Sequence, residues 1–384
     1  MQVSIAAPRP RHVHRLAVSA SFLLQGLCFS TWASRIPSIQ QKLHLSETAL
    51  GGVLLAVPVG LIASLPITGW LVAKYGSRTM TVIAVLLYSG VLPLLGLAQT
   101  TTQLMAGLVL FGFGSNMANI SVNTQGVGVE AIYGKSILAT FHGVWSLAGF
   151  FGAALGTGMI GWGVSPLQHF TLMALVIWLG VAFMRPYLVP ADAPGPGNQP
   201  LFVLPDKSLL LLGVLAFCSL LAEGTMFDWS GVYFKKIVLA EKAWVGLGFA
   251  AFMSMMATGR FIADAFANHF GRGRTLQISG LLTTAGLSLA VAFPSLVVAT
   301  IGFMLVGLGV SSVVPLVYSA AGKSRTMPAG VALAAVSTVG FAGFLLGPPL
   351  IGLVAGATSL RVSFAIIAFM GLAVAALARR ATAE

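Results

Sequence analysis

The chain has 384 residues, of which 57% are hydrophobic and only 8% charged, with a formal net charge of +12. Soluble domains carry about 25% charged residues, so a water-facing surface for this much chain is excluded and the implied solvent is lipid, where a helix satisfies its own backbone hydrogen bonds. The positive charge falls in short segments between apolar runs, which is a topology signal rather than a nucleic-acid footprint.

A spanning helix needs roughly 20 apolar residues. Breaks at charges, Pro and Gly clusters predict spans near 14–36, 47–72, 79–98, 102–127, 136–161 and 166–188, then near 208–235, 243–267, 274–293, 296–320, 328–353 and 359–379. The first run is too long for the core of a cleavable signal peptide and lacks a small-residue cleavage site. It carries Gln25, Trp32 and, near its end, Arg35. The second span runs into Gly69, Lys74, Gly76 and Arg78. In the fourth, Asn116, Asn119 and Asn123 fall at i, i+3 and i+7, on one helix face. Amides are wasted against lipid, so this row is expected to face a cleft with Gln25, and with Ser311 and Ser312 of the tenth span. The competing reading is inter-helix glue, worth about 0.6 kcal/mol per bond in membranes. The fifth span brings His142 and, three residues on, Trp145. His142 is a candidate proton relay or substrate ligand, or else a bond to Asn123. Gly149, Gly152 and Gly156 read as close helix packing.

Residues 189–200 are rich in Pro and Gly and predict a linker, giving an N-terminal bundle over 1–188, a cytoplasmic linker over 189–207 and a C-terminal bundle over 208–384. The seventh span holds Glu223, Asp228 and Trp229. Ionisable groups within a span are costly, from about 2.5 kcal/mol upward, and are functional candidates by default. Glu223 lies near mid-membrane, where the charged form is disfavoured. It is either a proton-coupling acid or a neutral group bonded to a neighbouring helix. Asp228 is five residues on, roughly 140° around the helix, so the two acids are not expected to act as a dyad. Arg35 and Asp228 fall at similar depth from the same side. They either pair when the outer end closes, or Arg35 snorkels to the interface. Trp32 and Trp229 are ring platforms for a solute or members of an interfacial belt; Trp145, nearer the middle, is the better ligand candidate. The eighth span carries Arg260 and Asp264 and ends at Gly271 and Arg272. Gly347-Pro348-Pro349 in the eleventh reads as a kink.

With the N-terminus in the cytoplasm, fourteen of the 21 basic residues fall in cytoplasmic segments and five in external ones, with Arg35 and Arg260 inside spans. That bias suits an N-in, C-in protein. The halves also echo each other. Thr31-Trp32-Ala33-Ser34 parallels Asp228-Trp229-Ser230-Gly231, and the loop at Gly76 parallels the loop at Gly271. Two parallel six-helix halves suit alternating access by rocking about a central site.

Gly69-Trp70-Leu71-Val72-Ala73-Lys74-Tyr75-Gly76-Ser77-Arg78 resembles the loop hallmark of the major facilitator superfamily, with Ala73 where that family usually has Asp. The second copy has Asn268 at that place, with Asp264 one turn earlier and Arg260 four residues before it. The resemblance implies a cytoplasmic gate latch built from Gly69, Lys74, Gly76 and Arg78, and from Arg260, Asp264, Gly271 and Arg272. The absent acid puts the N-half latch in question. Two further stretches are similar to the YbjJ- and MosC-like permeases, distantly akin to fucose permeases: Asn123-Thr124-Gln125-Gly126 through Phe141-His142-Gly143-Val144-Trp145-Ser146, and Glu223 through Tyr233. That branch implies a small polar, sugar- or polyol-like solute.

The expected fold is an all-α membrane protein of twelve helices in two pseudo-symmetric bundles. The expected function is proton-coupled transport of a small polar solute across the bacterial inner membrane by a functional monomer. Efflux of amphipathic compounds is the alternative; the family resemblance lowers it, since drug antiporters of that superfamily often carry a Gly-Pro motif on the fifth helix and this span has no proline before Pro166. There is no Ser–His–Asp set, phosphate loop or metal cluster, and Cys28 and Cys218 lie inside apolar runs with no metal or disulfide spacing. An enzyme, a cofactor and a bound metal are therefore not expected.

Overall fold

The computed structural model describes residues 10–134, 137–190, 206–321, 324 and 329–381. Among these residues every regular element is helical, and twelve crossings are long and apolar enough to span a membrane. The first crossing is α1 (Arg11–Ala33) continued by α2 (Ile36–Lys42). The second is α3 (Glu47–Leu54) followed by α4 (Ala56–Tyr75). Next come α5 (Ser77–Leu97), α6 (Thr101–Tyr133), α7 (Leu138–Gly161) and α8 (Pro166–Met184). The second set is α9 (Lys207–Lys236), α10 (Leu247–Phe270), α11 (Arg272–Ala292), α12 (Leu296–Ser311) with α13 (Val313–Ala321), α14 (Ala329–Ala357) and α15 (Leu360–Ala381). Of the expected linker, 191–205 lie outside the described residues.

Three expected spans are broken, and proline places each break. A proline has no N–H for the carbonyl four residues earlier, and its ring clashes with it. α1 stops at Ala33, four before Pro37; α3 stops at Leu54, four before Pro58; α12 stops at Ser311, four before Pro315. By contrast Pro93 sits within α5, and Pro348 and Pro349 within α14. Five helix starts are capped by the residue ahead of them: Ser46, Thr100, Ser165, Asp206 and Ser295 each accept from a first-turn N–H.

α1 packs on α6, α7 and α8, and α6 also holds α4 and α5. In the second set α9 packs on α13, α14 and α15, while α12 holds α10 and α11. Between the sets, the larger contacts run α7 to α10, α3 to α14 and α2 to α9. Outward faces are apolar, with side chains such as Leu179, Phe183, Val297 and Phe369 exposed. With lipid around the molecule this exposure is no penalty.

The repeat is visible in the backbone. α4 turns into α5 through the single residue Gly76 (φ 78°, ψ 149°), and α10 into α11 through Gly271 (φ 81°, ψ 153°). That region is essentially reserved for glycine. Gly76→Ala and Gly271→Ala are each expected to cost about 1–3 kcal/mol. The losses should add, since the two joints lie in different halves. Thermal unfolding of the single and double variants in detergent checks this; an unchanged midpoint would show that another conformation serves the joint equally well.

Candidate functional site

Both described chain ends lie on one face, called here the terminal face. At the opposite face the two helix sets meet. Lys236 Nζ lies 2.6 Å from Glu47 Oε1, Lys235 Nζ donates to Gln41 Oε1 at 2.6 Å, and Thr48 Oγ1 donates to the Gly352 carbonyl at 3.3 Å. Gly51 and Gly352 let α3 and α14 touch backbone to backbone. A Cβ on Gly51 would lie 2.6 Å from the Pro348 oxygen and 2.9 Å from Gly352 Cα. Toward the terminal face α14 diverges and meets α4 at few positions. Beneath the seal lies a central cavity of about 540 Å³, with walls drawn from both sets.

One wall is polar. Gln25 (α1), Ser115, Asn116 and Asn119 (α6) line it. The Asn116 amide donates to Ser64 Oγ on α4 at 2.7 Å, and the Gln25 amide reaches the Ser115 carbonyl at a weak 3.5 Å. Aromatic rings, among them Phe22, Phe29, Trp32, Trp145, Phe227 and Phe344, share the rest of the walls with aliphatic side chains and prolines. Phe227 is the hub, with ring centroids 5.0 Å from Phe29, 6.2 Å from Trp145 and 6.2 Å from Phe344.

The charged groups among the described residues are Glu223, Asp228 and Arg260. Arg260 Nη2 lies 3.2 Å from Glu223 Oε1, Nη1 donates to Ser146 Oγ at 2.6 Å, and the guanidinium stands 5.9 Å from the centre of the Trp145 ring. Ser146 in turn donates to the His142 carbonyl at 3.0 Å, leaving its lone pairs for Arg260. One guanidinium therefore neutralises an acid of its own half and bridges the cleft to α7. Asp228 also lines the cavity, yet among the described residues no cation or donor lies within bonding reach of its carboxylate.

Several expectations change. Arg35 does not pair with Asp228, although the opposite face is closed. The break at Pro37 releases Arg35 from the helix, and it turns to α8 and the α7–α8 turn, donating to His169 Nδ1 at 3.0 Å and to the Val164 carbonyl at 2.9 Å. It is buried at 2% exposure and does not snorkel. Trp229 is not on the cavity wall. One residue along a helix is about 100° around it, so Asp228 facing the cleft turns Trp229 into the protein, where it is fully buried. The amide row divides: Asn116 and Asn119 line the cavity, whereas Asn123 bonds Asn119 and holds His142 Nε2 at 3.2 Å. His142 lines the cavity with that bond made. Ser311 and Ser312 bond to the Leu308 carbonyl and to Ser279 rather than lining the cavity.

Arg260, expected at the latch, is a cavity residue. The other residues expected at the latch lie at the terminal face: Gly69, Gly76, Gly271 and Arg272, with Lys74 over the Trp70 ring at 4.7 Å and Arg78 reaching the Pro186 carbonyl at 3.5 Å. The Asp264 side chain lies outside the described residues. Gly152 and Gly156 serve packing, as α1 crosses them at Ser30 and Ser34.

Sequence reasoning missed Ser146, His169 and Glu130. Ser146 had a signal, since it follows His142 by four on the same helix face. Glu130 accepts from the Ile137 and Leu138 N–H groups at 2.6 and 2.8 Å, capping α7 across the loop.

Comparison with known proteins agrees with this architecture. The sequence model of the Major Facilitator Superfamily matches residues 18–325, so the chain belongs to that family. It is 35% identical to an uncharacterized MFS-type transporter of Yersinia pestis over 98% of both chains. It is 30% identical to the membrane protein MosC of Rhizobium meliloti, over 94% of this chain and 88% of that one. Its fold superposes on the nucleoside transporter NupG with a TM-score of 0.75 at 15% identity, covering 96% and 99% of the two chains. It matches a bacterial homolog of the lysosomal transporter Spinster at 0.73 and 14% identity, over 98% of each. It is thus a multi-pass membrane protein and a secondary transporter of the MosC-like branch rather than an enzyme, with a small molecule as its cargo.

Proposed function

We propose that this protein moves a small polar solute of sugar or polyol character across the bacterial inner membrane, coupled to protons, as a monomer. In this reading both termini are cytoplasmic, following the basic-residue bias. The structure then represents the inward-facing state, sealed outside and opening inward between α4 and α14. The six-helix halves 1–188 and 208–384 rock about the central cavity. The observation that carries the reading is one cavity holding both an amide wall and ionisable groups. Amides donate and accept, as hydroxyl-rich solutes require. Stacking on Trp145 or Trp32 would orient a ring. Buried acids on α9 supply the proton site.

The apolar share of the walls, aromatic and aliphatic together, favours a second reading, proton-driven efflux of an amphipathic compound. Uptake into proteoliposomes under an imposed pH gradient, screened over sugars, polyols and amino sugars, separates the two. The first reading expects an inward gradient of protons to accumulate one of these solutes. Accumulation of none of them, with extrusion of lipophilic compounds, would establish the second.

A further inference from the structure

Resting on that reading, we propose that the two acids of α9 have divided roles: Asp228 carries the exchangeable proton, while the Glu223–Arg260 pair stays charged and holds the cavity wall. The argument is a charge inventory. Among the described residues, the titratable and charged groups of the cavity wall are Tyr88 on α5, His142 on α7, Glu223 and Asp228 on α9, Arg260 on α10 and Tyr318 on α13. The nearest others are already engaged at the opposite face or beyond. Arg35 is bonded to His169 and Val164, Lys42 to the Gly96 carbonyl, Lys235 to Gln41, Lys236 to Glu47 and Arg361 to the Val291 carbonyl. α12 and α14, also packed on α9, bring no charged side chain among their described residues.

Glu223 therefore has a full counter-charge, made without leaving its own half. α9 and α10 belong to the same bundle, so the pair survives rocking of one half against the other. Protonating Glu223 would leave the partly buried guanidinium without its counter-charge, which is unfavourable. Among the described residues Asp228 has no such partner. Its neighbour Phe227 anchors the aromatic cluster, and the seal made by α2, α3 and α14 lies one to two turns beyond it. When the cavity dries during the cycle, a lone carboxylate there has two fates, protonation or an incoming cation. The proton is the one available on every cycle. It binds the Asp228 carboxylate from one aqueous side as the neutral acid and leaves to the other, so one proton is gained and one released with no other bond changed.

The probe for this is the proton itself. Infrared spectra of the protein in liposomes are recorded as pH falls from mildly alkaline to mildly acid, following the C=O band of protonated carboxylic acid. Wild type and Glu223→Gln should both develop the band reversibly, Asp228→Asn should not, and Asp228→Glu should restore it at a displaced position. Should Asp228→Asn fail to fold, the displaced band of Asp228→Glu still identifies the group. A band lost in Glu223→Gln and kept in Asp228→Asn, or absent from wild type, or undisplaced in Asp228→Glu, overturns the assignment. The flux experiment is separate. A band that tracks Asp228 while no solute flux responds to the pH gradient would refute proton coupling and leave the proton site in place.

Discussion

Arg260→Ala is expected to lower the unfolding midpoint more than any other single change in the cavity wall. It removes the counter-charge of Glu223, whose side chain is only 7% exposed, and strands that carboxylate among apolar walls. Breaking a buried pair from one side costs about 3–5 kcal/mol. Arg260 retains 19% exposure at the cavity, which points to the lower end of that range. Glu223→Gln combined with Arg260→Ala should recover at least half of the loss, because the stranded charge is gone. Arg260→Lys should recover less than its charge suggests. An ammonium is a point charge, whereas the guanidinium fork reaches Glu223 and Ser146 together. Thermal unfolding of wild type, Glu223→Gln, Arg260→Ala and the double variant measures the cycle, with Arg260→Lys beside it. Equal midpoints for Arg260→Ala with and without Glu223→Gln would mean that the pair contributes nothing and that the loss is one of packing.

Gly51→Leu is expected to move the protein out of the observed state altogether. The seal at the opposite face is not held strongly by its ion pair. Lys236 and Glu47 are 37% and 25% exposed, and such pairs are worth about 0–1 kcal/mol. Closure depends instead on α3 and α14 approaching at Gly51 and Gly352. Both neighbours of a new Cβ are backbone, so neither can rotate away. Overpacking of this kind costs roughly 1–3 kcal/mol, borne by the closed seal and relieved when α3 and α14 part. Since 1.4 kcal/mol is a factor of ten, the population ratio should shift about ten- to a hundredfold. Spin labels at the exposed positions Ala49 and Ala357 would read this as a shift to longer distances. An unchanged distance distribution would show that the crossing tolerates a side chain and does not set the equilibrium. Gly52, with nothing within 4 Å of its Cβ position, is the control.

The sequence alone determined what depends on local composition and chain chemistry. Hydrophobic length set the number of crossings, because lipid leaves the backbone no other partner. Proline positions account for the three helix breaks through the missing N–H four residues on, but Pro93, Pro348 and Pro349 sit inside continuous helices, so tertiary packing decides which proline breaks one. Periodicity put Asn116 and Asn119 on one face, and the cavity is where that face points. Tertiary structure decided every pairing between helices. Glu223 and Arg260 are 37 residues apart, and Arg35 and His169 are 134 apart. Nothing local says which acid a buried cation will meet, since that follows from helix rotation and crossing. Position along the chain set the expected depth of Arg35 and Asp228, but it carried no information about azimuth. Two side chains at one level in the membrane can point to opposite sides of the protein, and the bonds of Arg35 to α8 follow from that freedom.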